Sequence, residues 1–135
     1  MDLDVIEQTL NQVVIDGAWT YESIFGNAKA REMIKVGDPF FEVNVDIIKG
    51  KQKSLGPVGS RLWRRRGVMT FTTYVPVGSG TRESAKIEQE ILDTFEGQTF
   101  TGIVFDETSH KPIGTIDKWT LKSLRLGFYF NITGR

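Results

Sequence analysis

The stretch from Gly67 to Asp106 constrains the fold more than any other part of the chain. GVMTFTTYVP reads as a strand, VGSGT as a glycine-rich turn, RESAKIEQEILDTF as an amphipathic helix and QTFTGIVFD as a further strand. In the helix, Ser84, Ile87, Ile91 and Phe95 recur at a 3.6-residue period, with Leu92 flanking them, and this stripe needs an apolar sheet beneath it. Thr81 is the expected N-cap. Glu83 falls in the first turn, where the helix dipole favours an anion, and Gly97 suits a left-handed exit.

The rest of the chain supplies that sheet. FFEVNVDII alternates, with Phe41, Val43, Val45 and Ile47 on one side and Glu42, Asn44 and Asp46 on the other. GKQKSLGPVGS, with three glycines and a proline, reads as a long mobile loop or hairpin tip, and Leu62 to Val75 as the returning strand. A strand from Phe100 to Phe105 is expected to turn through Glu107 to Pro112 into a partner around Ile113 to Trp119. The last strand, Lys122 to Ile132, presents Leu124, Leu126, Phe128, Phe130 and Ile132 to one face. At the start, Asp4 is positioned to cap a helix whose stripe is Leu3, Ile6, Leu10, Val13 and Val14, ended by Gly17. The pattern weakens from Ala18 to Pro39, where Ala28 to Val36 suits a short helix. The expected fold is α+β: a mainly antiparallel sheet of four or five strands with two helices on one face. With 135 residues, 39% of them hydrophobic and 25% charged, the chain suits one domain, residues 1–135, with a basic loop or hairpin around 49–66.

The residues offer little to chemistry. Gly78-Ser79-Gly80-Thr81 has neither the lysine nor the glycine spacing of a phosphate loop, and Glu83 would repel an anion, so it reads as a turn and cap. His110 is the single histidine and falls in the hydrophilic run Glu107 to Lys111, with no ligand spacing and no nucleophile in a triad arrangement. The chain has no cysteine, which removes disulfides and thiolate sites. The opening Met1-Asp2-Leu3-Asp4 is unlike a secretory signal, and folding in the cytosol is the expectation. No catalytic, cofactor or metal residue is assigned, and the protein is expected not to be an enzyme.

Charge is the informative property. The formal net charge is zero, yet Lys49, Lys51, Lys53, Arg61, Arg64, Arg65 and Arg66 form a block without an acid. Glu83, Glu88, Glu90, Asp93, Glu96, Asp106 and Glu107 form an acidic block relieved by Lys86 alone. A chain with one basic and one acidic face can attract a copy of itself head to tail, and such contacts close into a ring when the rotation permits. Both blocks could equally be solvated surface. Strand alternation sends Arg64 and Arg66 to one face, and Trp63 and Arg65 to the other, which divides the arginine triplet. The basic segment therefore suits acidic protein surface better than a sequence-specific nucleic-acid reader. A weak, salt-sensitive contact with a DNA backbone is the alternative.

From Gly67 to Phe130 the sequence resembles the tail-terminator (tail-completion) proteins of long-tailed bacteriophages. The likeness rests on Arg65-Arg66-Gly67 entering a strand that ends Tyr74-Val75-Pro76, the turn Gly78-Ser79-Gly80, the helix closing on Phe95, the strand Phe100 to Phe105, and the aromatic end Phe128-Tyr129-Phe130. It implies a structural virion protein of the tail and neck, assembled in the host cytoplasm into a hexameric ring. Such a ring caps the tail tube, stops its polymerisation and joins it to the head connector, and DNA passes through the lumen without sequence-specific binding. The implied partners are further copies of the chain, the tail tube protein and the neck protein. A head-completion ring of the same neck and a small DNA-associated protein are the alternatives. The family has no catalytic residue to carry over.

Overall fold

A computed structural model describes residues 3–17, 19, 22–25, 39–78 and 81–133. In chain order it has α1 (Leu3–Asp16), β1 (Glu22–Phe25), β2 (Phe40–Gln52), β3 (Leu62–Pro76), α2 (Thr81–Phe95), β4 (Thr99–Phe100), β5 (Ile103–Ile116) and β6 (Trp119–Thr133). The expected α+β fold is present. The strands form one sheet in the order β1-β2-β3-β6-β5-β4, antiparallel except for β1, which runs parallel to β2. Two short edge strands, β1 and the two-residue β4, bring the described count to six.

Both helices pack on one face of this sheet, as their apolar stripes require. Ile6, Leu10 and Val14 of α1 and Ile87, Ile91 and Phe95 of α2 join Phe41, Val43, Met69, Phe71, Phe105, Leu124, Leu126, Phe128 and Phe130 in one core. The phenyl rings form a chain: Phe71 to Phe95 at 5.5 Å, Phe95 to Phe105 at 5.2 Å and Phe105 to Phe128 at 5.5 Å, all tilted. Gly97 leaves α2 at φ +71°, the left-handed geometry expected of it. At the other helix, the Trp19 indole N–H donates to the Val14 carbonyl (2.6 Å), supplying one of the partners that the carbonyls of a helix end lack. Trp19 also packs edge-on against Phe41 at 5.2 Å, so one side chain ties the end of α1 to the sheet. The α1 helix begins at Leu3, ahead of Asp4, so the cap expected at Asp4 lies inside its first turn. The short helix expected over residues 28–36 lies outside the described residues.

The strand pattern differs from expectation most between residues 99 and 119, where the strand expected from Phe100 to Phe105 is broken by a turn at Thr101 and Gly102 into β4 and β5. Residues 107–112 are not a loop, and 113–119 is not a separate strand: β5 runs unbroken to Ile116 and turns at Asp117 and Lys118 into β6. The polar run looked like a turn because it lies beside the sheet edge, where both faces of a strand meet water. Two bulges, between Phe105 and Glu107 and between Pro112 and Gly114, absorb Asp106 and Ile113.

Candidate interaction surface

The face of the sheet away from the helices divides into an aromatic end and a charged end. At the first, Phe40 stacks on Tyr74 (4.5 Å, 6° between planes) and meets Trp119 edge-on at 5.6 Å, with Leu121 alongside. Glu42 is buried next to this cluster and accepts from the Asn44 side-chain amide at 2.9 Å. Burial raises the Tyr74 pKa above its ordinary value of 10.0, and the charge of Glu42 and a hydrogen bond to it act in the same direction.

At the other end, β2 and β3 extend into an arm. Strand pairing continues through Lys49↔Arg66, Gly50↔Arg65, Lys51↔Arg64 and Gln52↔Trp63, so residues 50–52 expected in a loop belong to the strand. The tip, residues 53–61, holds itself together. Lys53 N–H donates to the Leu62 carbonyl (2.7 Å), Leu62 N–H to Ser54 Oγ (2.8 Å), and Arg61 Nε to the Gly56 carbonyl (2.9 Å). Leu55 and Val58 stand 96% and 80% exposed on it, too far out to serve the domain's own core.

A bulge between Ile47 and Lys49 decides which way the bases face. Uninterrupted alternation would place Lys49 and Lys51 with Val43, Val45 and Ile47 on the helix side. The extra residue, Ile48, reverses the parity, and Lys49 and Lys51 emerge directly opposite Arg66 and Arg64 on the open face. Arg64 and Arg66 are divided from Arg65 as the alternation predicts. The bulge, which alternation alone does not reveal, gathers four bases onto one strip. Tyr129 lies in this strip, with the Arg64 guanidinium 4.2 Å and that of Arg66 5.8 Å from its ring centroid. Arg64 Nε also donates to Asn131 Oδ1 at 3.1 Å. Arg65, on the helix side, lies across Gly50: a Cβ there would be 3.0 Å from its Nη1. Arg65 Nε and Trp63 Nε1 are buried without a hydrogen-bond partner among the described residues.

The acidic residues are more fully engaged within the chain. Glu88 faces His110 Nδ1 at 3.1 Å, placing the lone histidine on β5 across from α2 instead of in a turn. Asp93 accepts from the Gln89 side chain at 2.7 Å, and Glu83 and Glu90 are also engaged. Asp106 takes Arg66 at 3.0 Å, while Glu107, 74% exposed, stands 3.7 Å from the same guanidinium. Glu96, Asp106 and Glu107 line a concavity between the end of α2 and the first bulge of β5, together with Gly97, Phe105 and Thr108. The last turn of α2 has no base to balance the helix dipole. Structure therefore separates the acidic block into residues spent on the domain itself and an exposed remnant at one edge.

Among the described residues no group of three or more His, Cys, Asp and Glu side chains has a metal-binding arrangement, and no helix is long and apolar enough to cross a membrane. No family model and no curated protein matches the sequence. A solved structure, of a protein known only by a serial designation, superposes with a TM-score of 0.67 over 96% of this chain and 96% of its own, at 18% identity. That likeness is one of fold.

Proposed function

We propose that the protein is a structural component of a phage tail: a ring that caps the tail tube, halts its growth and joins the tail to the head connector. The observation that carries this reading is the placement of opposite charge on opposite edges of one sheet. The lysines of β2 lie at one side and the exposed carboxylates beside β5 at the other. A subunit polarised in this way favours heterologous contacts, the kind from which rings are built. The tail-terminator-like pattern from Gly67 to Phe130 supplies the biological setting, and the exposed Leu55 and Val58 supply an apolar tip for the tube or connector.

Electron microscopy of purified tail tubes mixed with the protein tests this. Six-fold rings at one tube end are expected, and a monomer that never associates with tubes overturns the reading. A second reading, a DNA-associated protein, draws on the strip of Lys49, Lys51, Arg64 and Arg66 on one open face. It predicts that Lys49→Glu and Lys51→Glu lower the salt slope of duplex binding, by roughly one for each phosphate no longer neutralised, and leave assembly intact.

A further inference from the structure

We propose that neighbouring copies meet through two particular edges. Lys49 and Lys51 on β2 of one copy would engage Glu96 and Glu107, beside the first β5 bulge, of the next. This contact rests on the ring-forming reading above and gives it a location.

Three observations lead to it. The first is height along the strands. Lys49 pairs with Arg66, Arg66 with Tyr129 and Tyr129 with Val104, so one row of the sheet crosses from the lysine edge to the start of β5. Glu107 lies beyond the bulge on β5, in the row Asp46, Val68, Gly127 and Glu107, two residues along the sheet from Lys49. A second copy placed alongside and shifted along the strands by two residues, about 7 Å, therefore brings Glu107 level with Lys49 and away from Asp46.

The second is pairing. β1 covers β2 only from Phe40 to Val43, and β4 covers β5 only at Ile103 and Val104. The lateral approaches to Lys49, Lys51 and Glu107 are left clear among the described strands. β2 and β5 run in opposite directions, so the edges of adjacent copies would continue the antiparallel order. A bulge interrupts each edge near this row, which disfavours an uninterrupted ladder and leaves side-chain charge to fix the register.

The third is imbalance within the chain. Lys49 and Lys51 make no ion pair among the described residues, although Asp46 lies on the same strand and face. On the other edge Arg66 is held mainly by Asp106, leaving Glu107 exposed and Glu96 exposed at a helix end where an acid is electrostatically disfavoured. Both edges gain from a neighbour of opposite charge. A head-to-tail pair leaves one unmatched edge of each sign, and closure of the ring removes both.

The test uses the full-length chain at low salt, with association read by sedimentation and native mass measurement, alone and on tube ends. Variant one carries Lys49→Glu and Lys51→Glu; variant two carries Glu96→Lys and Glu107→Lys. Circular dichroism confirms that each is folded. Each alone should associate at least about tenfold more weakly than the native chain, since like charges then face each other. An equimolar mixture of the two should recover assembly, because each altered edge now meets its complement. As a second readout, Lys49→Cys with Glu107→Cys in this cysteine-free chain should give an oxidation ladder of oligomers. Within one copy the two positions lie across three strand spacings, about 14 Å, beyond the reach of a disulfide.

Undiminished association of both variants, or a mixture that is not rescued, overturns this contact while leaving the ring reading in place. A native chain that never associates, even on tube ends, and gives no ladder overturns both. Association that appears only when duplex DNA is added overturns the contact in favour of the nucleic-acid reading.

Discussion

The two ends of the long β2–β3 pair obey different rules. Over Val43 to Ile47, period-two alternation, the helix stripes and burial agree, and the sheet turns an apolar face to α1 and α2. Past Ile48 the same two strands remain paired, but their facing is set by one inserted residue, and their side chains serve water or a partner. The difference teaches where each force acts. Burial penalises any other facing strongly in the core, whereas in the arm nothing is buried deeply enough to forbid a bulge.

Substitutions should separate the two regions by magnitude. The largest effect belongs to Phe95→Ala, because the ring is fully buried and touches Phe71, Phe100 and Phe105. A loss of about 3–5 kcal/mol is expected in a denaturant titration, against a typical total of roughly 5–15. A loss below about 1 kcal/mol would mean that α2 does not dock through this stripe.

Gly67 marks the frontier between core and arm. A Cβ there would collide with the Phe128 ring and lie 2.6 Å from the Asp46 carbonyl oxygen. Gly67→Ala should cost about 1–3 kcal/mol through overpacking. Wild-type stability in this variant would show that the strands separate easily at this row, and the contrast between the two ends would blur.

On the open face, Tyr74 links stability to alkaline pH. Its raised pKa means that ionisation is harder in the folded chain than in the unfolded one. The stabilisation is full below about pH 10, the unfolded value, and is lost as pH rises through the higher folded value. Tyr74→Phe should remove that part of the alkaline slope, and an unchanged slope would exclude Tyr74 as its source.

The arm should be nearly silent in stability. Arg66→Ala, which breaks a partly exposed pair with Asp106, is expected to cost no more than about 1 kcal/mol. Leu55→Ser at the exposed tip should shift stability by less than about 0.5 kcal/mol while weakening tube association. A large stability loss at Leu55 would place the tip inside the domain's own packing and erase the distinction.

Much of the fold was legible in the sequence. Long apolar periodicities announced α1, α2, the core of β2 and β3, and β6, because burying those residues is the dominant favourable term and its period is written directly in the chain. The bulges at Ile48, Asp106 and Ile113, the unbroken course of β5 and the indole that closes α1 were not legible. Each depends on a partner distant in sequence or on a backbone irregularity that costs little where a strand is exposed. Charge shows the same division. Sequence alone determined that Lys49 to Arg66 is basic and Glu83 to Glu107 acidic. Only the tertiary structure decided that Lys49 and Lys51 share a face with Arg64 and Arg66, and that most of the acids are engaged within the domain. The physical reason is that composition sets how much charge a segment holds, whereas register and packing set which charges find a partner inside the domain and which are left for a neighbour.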